Sequence, residues 1–76
     1  MDPKLFKQFY EAIPSKSEKN KFREFFLAET KLSYPTFHAY KGNNKKVIPF
    51  MAAEKIKELA LILQPTLYNQ FFKEEA

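Results

Sequence analysis

Nine residues near the middle of the chain carry side chains suited to holding an anion: Ser33, Tyr34, Thr36, His38, Lys41, Asn43, Asn44, Lys45 and Lys46. Hydroxyls, amides and an imidazole donate hydrogen bonds, and three ammonium groups supply charge, a combination that meets phosphate oxygens and base edges. From Thr30 to Ala53 there is no Asp or Glu to compete with them. Four of the 13 Lys/Arg (Lys31, Lys41, Lys45 and Lys46) lie in that window, leaving nine basic groups against nine acidic ones elsewhere, so the net charge of +4 is concentrated here. A run of lysines is ordinarily a solvated face. The missing acids are what turn this one into an expected polyanion surface, with double-stranded DNA as the partner.

Catalytic chemistry finds few candidates. One His, one Asp and no Cys exclude a Cys-His pair, and a His/Asp triad would have to recruit Asp2 from the chain terminus. A lone His without thiolates or a neighbouring acid cannot complete an ordinary metal ligand set. The expectation is a protein that is not an enzyme, with no cofactor, no metal and no small-molecule substrate.

The elements that would present these residues are helices. Asp2-Pro3 is a helix start, followed by Leu5, Phe6, Phe9 and Ile13 at helical spacing until Pro14. Ser15-x-x-Glu18 spells a capping box for a second helix with Phe22, Phe25, Phe26 and Leu27 on its apolar side and Lys16, Lys19, Lys21 and Arg23 in solvent. Leu32 is an isolated apolar anchor in a polar turn. Ser33 caps a short third helix over 34–41, in which Phe37 and Tyr40 face inward. Gly42, the only glycine, is expected to end it in a left-handed conformation. A fourth helix opens at Ile48-Pro49, with Phe50 or Met51, Ala53, Ile56, Leu59, Ala60 and Leu63 as the inward stripe. A last helix from about Thr66 carries Leu67, Tyr68, Phe71 and Phe72 and frays at Lys73-Glu74-Glu75.

No segment alternates like a strand, so the fold class is all-α: a compact bundle of four to five short helices, with residues 1–76 forming a single domain. A chain of 76 residues buries only about 60% of its unfolded surface, and without cysteine its stability must come from its nine Phe and four Tyr. The longest apolar run, Leu59 to Leu63, falls far short of the roughly 20 residues that cross a bilayer. Lys4, Lys7 and Glu11 interrupt any secretory h-region. A cytoplasmic location is expected.

Glu24 to Gly42, with the Leu32-Ser33 turn, then Phe37 and Tyr40, resembles the helix-turn-helix of the lambda repressor and Cro-like superfamily, the motif extending over about 22–42. Gly42-Asn43-Asn44-Lys45-Lys46-Val47-Ile48-Pro49 is similar to the loop and helix start that follow in that superfamily. Two positions depart from its pattern: Leu27 stands where a small residue is usual, and Lys31 where Gly is usual. Lys31 must therefore take a left-handed conformation or a different turn.

The resemblance implies a small transcription regulator of the phage or mobile-element type. Helix 34–41 would lie in the major groove, with Ser33, Tyr34, Thr36 and His38 near bases or flanking phosphates, and Lys41, Asn43, Asn44, Lys45 and Lys46 would hold the backbone. A homodimer reading two half-sites is compatible with it. Helix 34–41 lacks Arg, Gln and Asn, so base preference would be modest or read through DNA shape. The alternative is a helical protein-interaction module acting through the aromatic C-terminal helix (Tyr68, Phe71, Phe72). A membrane-surface role through Lys45 and Lys46 is opposed by Glu54 and Glu58 on the fourth helix.

Overall fold

A computed structural model describes residues 1–42 and 47–73. Five helices follow one another, α1 (Pro3–Ala12), α2 (Lys16–Thr30), α3 (Tyr34–Lys41), α4 (Phe50–Leu63) and α5 (Pro65–Phe71), and no strand occurs among the described residues. The expected positions Asn43, Asn44, Lys45 and Lys46, and the fraying expected at Glu74-Glu75, lie outside those residues.

Each of the first three helices starts on a side-chain cap. The Asp2 carboxylate accepts from the Lys4 amide at 2.9 Å, with Pro3 in the first turn, where its missing N–H costs nothing. Ser15 Oγ accepts from the Glu18 amide at 3.1 Å, and the Ser15 hydroxyl is 3.0 Å from Glu18 Oε1, so the predicted box closes between side chains. Ser33 Oγ accepts from the Thr36 amide, and the two hydroxyls lie 3.0 Å apart.

The link from α2 to α3 is equally local. Lys31 takes φ 62°, ψ 17°, the first of the two expected alternatives, a left-handed conformation that costs any residue bearing a Cβ about 1–2 kcal/mol. The Thr30 hydroxyl donates to the Phe26 carbonyl at 2.7 Å and accepts from the Leu32 amide at 3.2 Å, which ties the turn on both sides. Gly42 departs from expectation. It has φ −87°, so its value lies in space: a Cβ there would stand 3.0 Å from the His38 carbonyl oxygen.

The core is aromatic. Phe6, Phe9, Phe22, Phe26 and Phe37 are fully buried together with Ile48 and Ile56. The Phe37 ring lies 5.8 Å from Phe6, 5.5 Å from Tyr10 and 5.4 Å from Phe26, so the short α3 is held by one ring against α1 and α2. Phe72, just beyond α5, packs 4.9 Å from Phe9. Pairs of this kind contribute about 0.5–1.5 kcal/mol each beyond the area they bury.

Three inward assignments need correcting. Phe25, Phe50 and Met51 are exposed at 42%, 75% and 82%. On α2 the buried line is Phe22 and Phe26, four apart, and Phe25 falls to one side of it. On α4 the two alanines Ala52 and Ala53 take the inward position, with Ile56, Leu59 and Ala60, which rotates Phe50 and Met51 outward. Pro49 is the cap of α4, outside its first turn, and Ile48 precedes the helix as a buried anchor paired through its backbone with Met1. Among the described residues no helix is long and apolar enough to cross a membrane.

Phe37→Ala should cost about 3–5 kcal/mol, a large fraction of the stability of so short a chain, whereas Phe50→Ala should stay within about 0.5 kcal/mol; urea unfolding of both variants checks the contrast. In the same assay Lys31→Gly should raise stability by about 0.5–1 kcal/mol, because glycine adopts the left-handed conformation without the Cβ penalty.

Candidate nucleic-acid interface

Tyr34, His38 and Lys41 recur at i, i+4 and i+7 and so share one line along α3. Tyr34 and His38 are exposed, and their rings lie 6.0 Å apart at an interplanar angle of 35°. Ser33 is exposed as well, but its hydroxyl and that of Thr36 are engaged with each other at the start of the helix. Thr36 stands two residues after Tyr34 and therefore projects from a different side, where it is half-buried. The structure thus brings Tyr34, His38 and Lys41 together and sets Thr36 apart.

Two cations from α2 join that line. The Arg23 guanidinium lies over the Tyr34 ring, with Cζ 5.5 Å from its centroid, in a cation–π arrangement, so the ring has both a guanidinium and the tilted His38 imidazole as neighbours. Lys19 Nζ is 6.0 Å from the centroid of the Tyr10 ring and Lys41 Nζ is 5.6 Å from it, so ammonium groups from two different helices gather on one aromatic ring. Neither lysine has a carboxylate within ion-pair distance among the described residues. Arg23 contacts Glu24 at 3.6 Å, a long contact to an exposed carboxylate of the kind that contributes little. The Arg23 guanidinium also donates to Asn20 Oδ1 at 3.3 Å, which limits its side-chain freedom.

Helix geometry explains how an electrically mixed α2 yields a basic edge. Lys16, Lys19 and Arg23 follow one another at three- and four-residue steps on the edge toward α3. Glu18, Phe25 and Glu29 fall on the other edge, toward α4, where Glu29 bridges Lys55 at 2.9 Å and Glu18 accepts from Gln64 at 3.1 Å. Sequence reading placed Lys19 and Arg23 merely in solvent and assigned Tyr10 no part. The four-residue spacing of the two cations, with the acids on the opposite edge, was the signal available.

Tyr10 is the floor of this surface. Its hydroxyl donates to the Lys19 carbonyl at 3.0 Å, and its ring packs on Phe37. Burial pushes its phenol above the usual 10.0, Arg23 opposing and Tyr34 adding to the shift. No group of three potential metal ligands occurs among the described residues. No protein-family model matches the chain, and neither a curated protein nor a solved structure does.

A raised phenol pKa stabilises the fold below the unfolded value near 10.0, and that contribution is lost as pH rises through the higher folded value. Tyr10→Phe removes the hydrogen bond and should cost about 0.5–1.5 kcal/mol at neutral pH. The gap between the two proteins should then narrow as pH rises above about 10, where the Tyr10 phenol begins to ionise in the unfolded chain first. Urea unfolding across that pH range measures it.

Proposed function

We propose that the chain is a small DNA-binding protein acting in transcription regulation, with α2, the Lys31 turn and α3 working as a helix-turn-helix. In this reading α3 enters the major groove, and residues 41–46 together with the basic edge of α2 hold the phosphate backbone. A cytoplasmic setting and pairing of two copies on adjacent half-sites belong to the same reading, as does a phage or mobile-element origin. The observation that carries it is the convergence of Lys19, Arg23 and Lys41 beside the exposed Tyr34 and His38. Cations from sequence-distant helices meet on one side of the molecule, and their charged heads rest over aromatic rings, which limits how much freedom a phosphate contact must remove.

The rival reading, a protein-interaction module acting through α5, draws less support. Phe72 is buried, and Phe71 and Tyr68 are half-buried against the core, so the rings that would form its contact surface are largely turned inward.

Titration of a labelled random-sequence duplex at two salt concentrations tests the proposal. Neutralising about four phosphates gives a log–log salt slope of about −4. The Lys19→Ala/Arg23→Ala/Lys41→Ala variant should bind more weakly on every sequence and flatten the slope by about one per lost phosphate contact. A variant indistinguishable from wild type, or a flat wild-type slope, would remove this surface as the DNA contact.

A further inference from the structure

The outer side of α4 is exposed and apolar at both ends. Phe50 and Met51 mark one end and Leu61 and Ile62 the other, with exposures of 75%, 82%, 52% and 65%. Phe50 and Leu61 are separated by three helical turns, as are Met51 and Ile62, so the two apolar ends lie about 16 Å apart on the same face. Between them Glu54 and Glu58 project to solvent on that face, and Glu58 also accepts from Lys55 Nζ at 3.0 Å, a lysine that Glu29 draws toward α2 at 2.9 Å. Phe25 adjoins from α2, on the edge that the Glu29–Lys55 and Gln64–Glu18 contacts hold against α4. Beside Met51 a cleft of ≈ 350 Å³, lined in part by Thr30, Leu32, Tyr40, Pro49 and Ala52, has room for an apolar side chain.

Charge decides what can cover such a face. A second copy laid antiparallel would match Phe50 and Met51 with Leu61 and Ile62, but it would set Glu54 of each chain opposite Glu58 of the other. A parallel pairing would set each glutamate against its own counterpart. Either way carboxylates meet at the centre of the contact, an arrangement that interfaces avoid. An anionic bilayer meets the same objection.

We propose that this face docks a basic amphipathic helix from another protein. Its apolar anchors, about three turns apart, seat on Phe50 and Met51 at one end and on Leu61, Ile62 and Phe25 at the other; Lys or Arg between them pair with Glu54 and, beside its Lys55 contact, with Glu58. The surface lies apart from Lys19, Arg23 and Lys41, so the chain can hold this partner and a polyanion at once, with α2 between them presenting acids to one and cations to the other.

The test is an amide-shift NMR titration with two synthetic helical peptides of about four turns and identical leucine spacing, one carrying Lys between the leucines and the other Glu. The Lys peptide should shift the amides of Phe50, Met51, Leu61 and Ile62 and bind at least about tenfold more tightly than the Glu peptide. In a Glu54→Lys/Glu58→Lys variant the preference should reverse, and Ile62→Ser should weaken both peptides. All three substitutions are at exposed positions, and a thermal melt checks that the fold survives. Equal binding of the two peptides, binding of neither, or an unreversed preference in the charge-swapped variant would overturn the proposal. So would concentration-dependent shifts of these amides without peptide, which would mark a second copy, or the same shifts with phosphatidylglycerol vesicles. Duplex binding by the charge-swapped variant is read separately, so failure at one face leaves the result at the other intact.

Discussion

The contact of the Phe37 ring with Phe6, Tyr10 and Phe26 is the constraint on which the rest of the arrangement depends. An eight-residue helix has no stability of its own in water, because the cost of its first turn is recovered over too few hydrogen bonds. Phe37 is the one buried residue of α3, and by seating among rings from α1 and α2 it fixes where α3 lies and which of its sides faces out. The Ser33 cap and the left-handed Lys31 set the angle of entry, and the outward placing of Tyr34 and His38 follows.

From that placement comes the electrostatic pattern. α2 is a helix of mixed charge whose acids and bases nearly balance along the sequence, yet its periodicity separates them in space. Its basic edge completes a cationic surface with Lys41 over Tyr10, while its acidic edge joins Lys55 and Gln64 of the α4 side. The hydrogen bonds Lys55 donates to Glu29 and then to Glu58 raise its pKa, so that lysine is engaged between helices and adds little free positive charge to the outer face. A protein of modest net charge can in this way present one face to a polyanion and another to a cationic partner.

How much of this was legible in the sequence depends on the range of the interactions. The caps at Asp2, Ser15 and Ser33 were readable because capping is settled within three residues. Phe6, Phe9, Phe22, Phe26 and Phe37 were readable because each repeats at helical spacing with an apolar neighbour. Phe25, Phe50 and Met51 were not, because the rotation of a helix with apolar residues on several sides is decided by what packs on it, and Ala52 and Ala53 provided the closer fit. Gly42 misled by its residue type: left-handed geometry is the commonest use of a terminal glycine, and here close approach to the His38 carbonyl is the reason. At the candidate site, Tyr34, His38 and Lys41 are legible from their acid-free window, but Lys19 and Arg23 lie outside it, among the nine basic groups that nine acidic ones balance in the rest of the chain. Only the partition of α2 into two edges shows that Glu18 lies elsewhere.

The central claim is that one side of the molecule, built on α3 and the adjoining edge of α2, is where a polyanion binds. Amide-shift mapping with a short random-sequence duplex at low salt tests it most directly. The account predicts shifts at Lys19, Arg23, Tyr34, His38 and Lys41, fading as salt is added. Shifts confined to the outer side of α4, or none at all under these conditions, would contradict it.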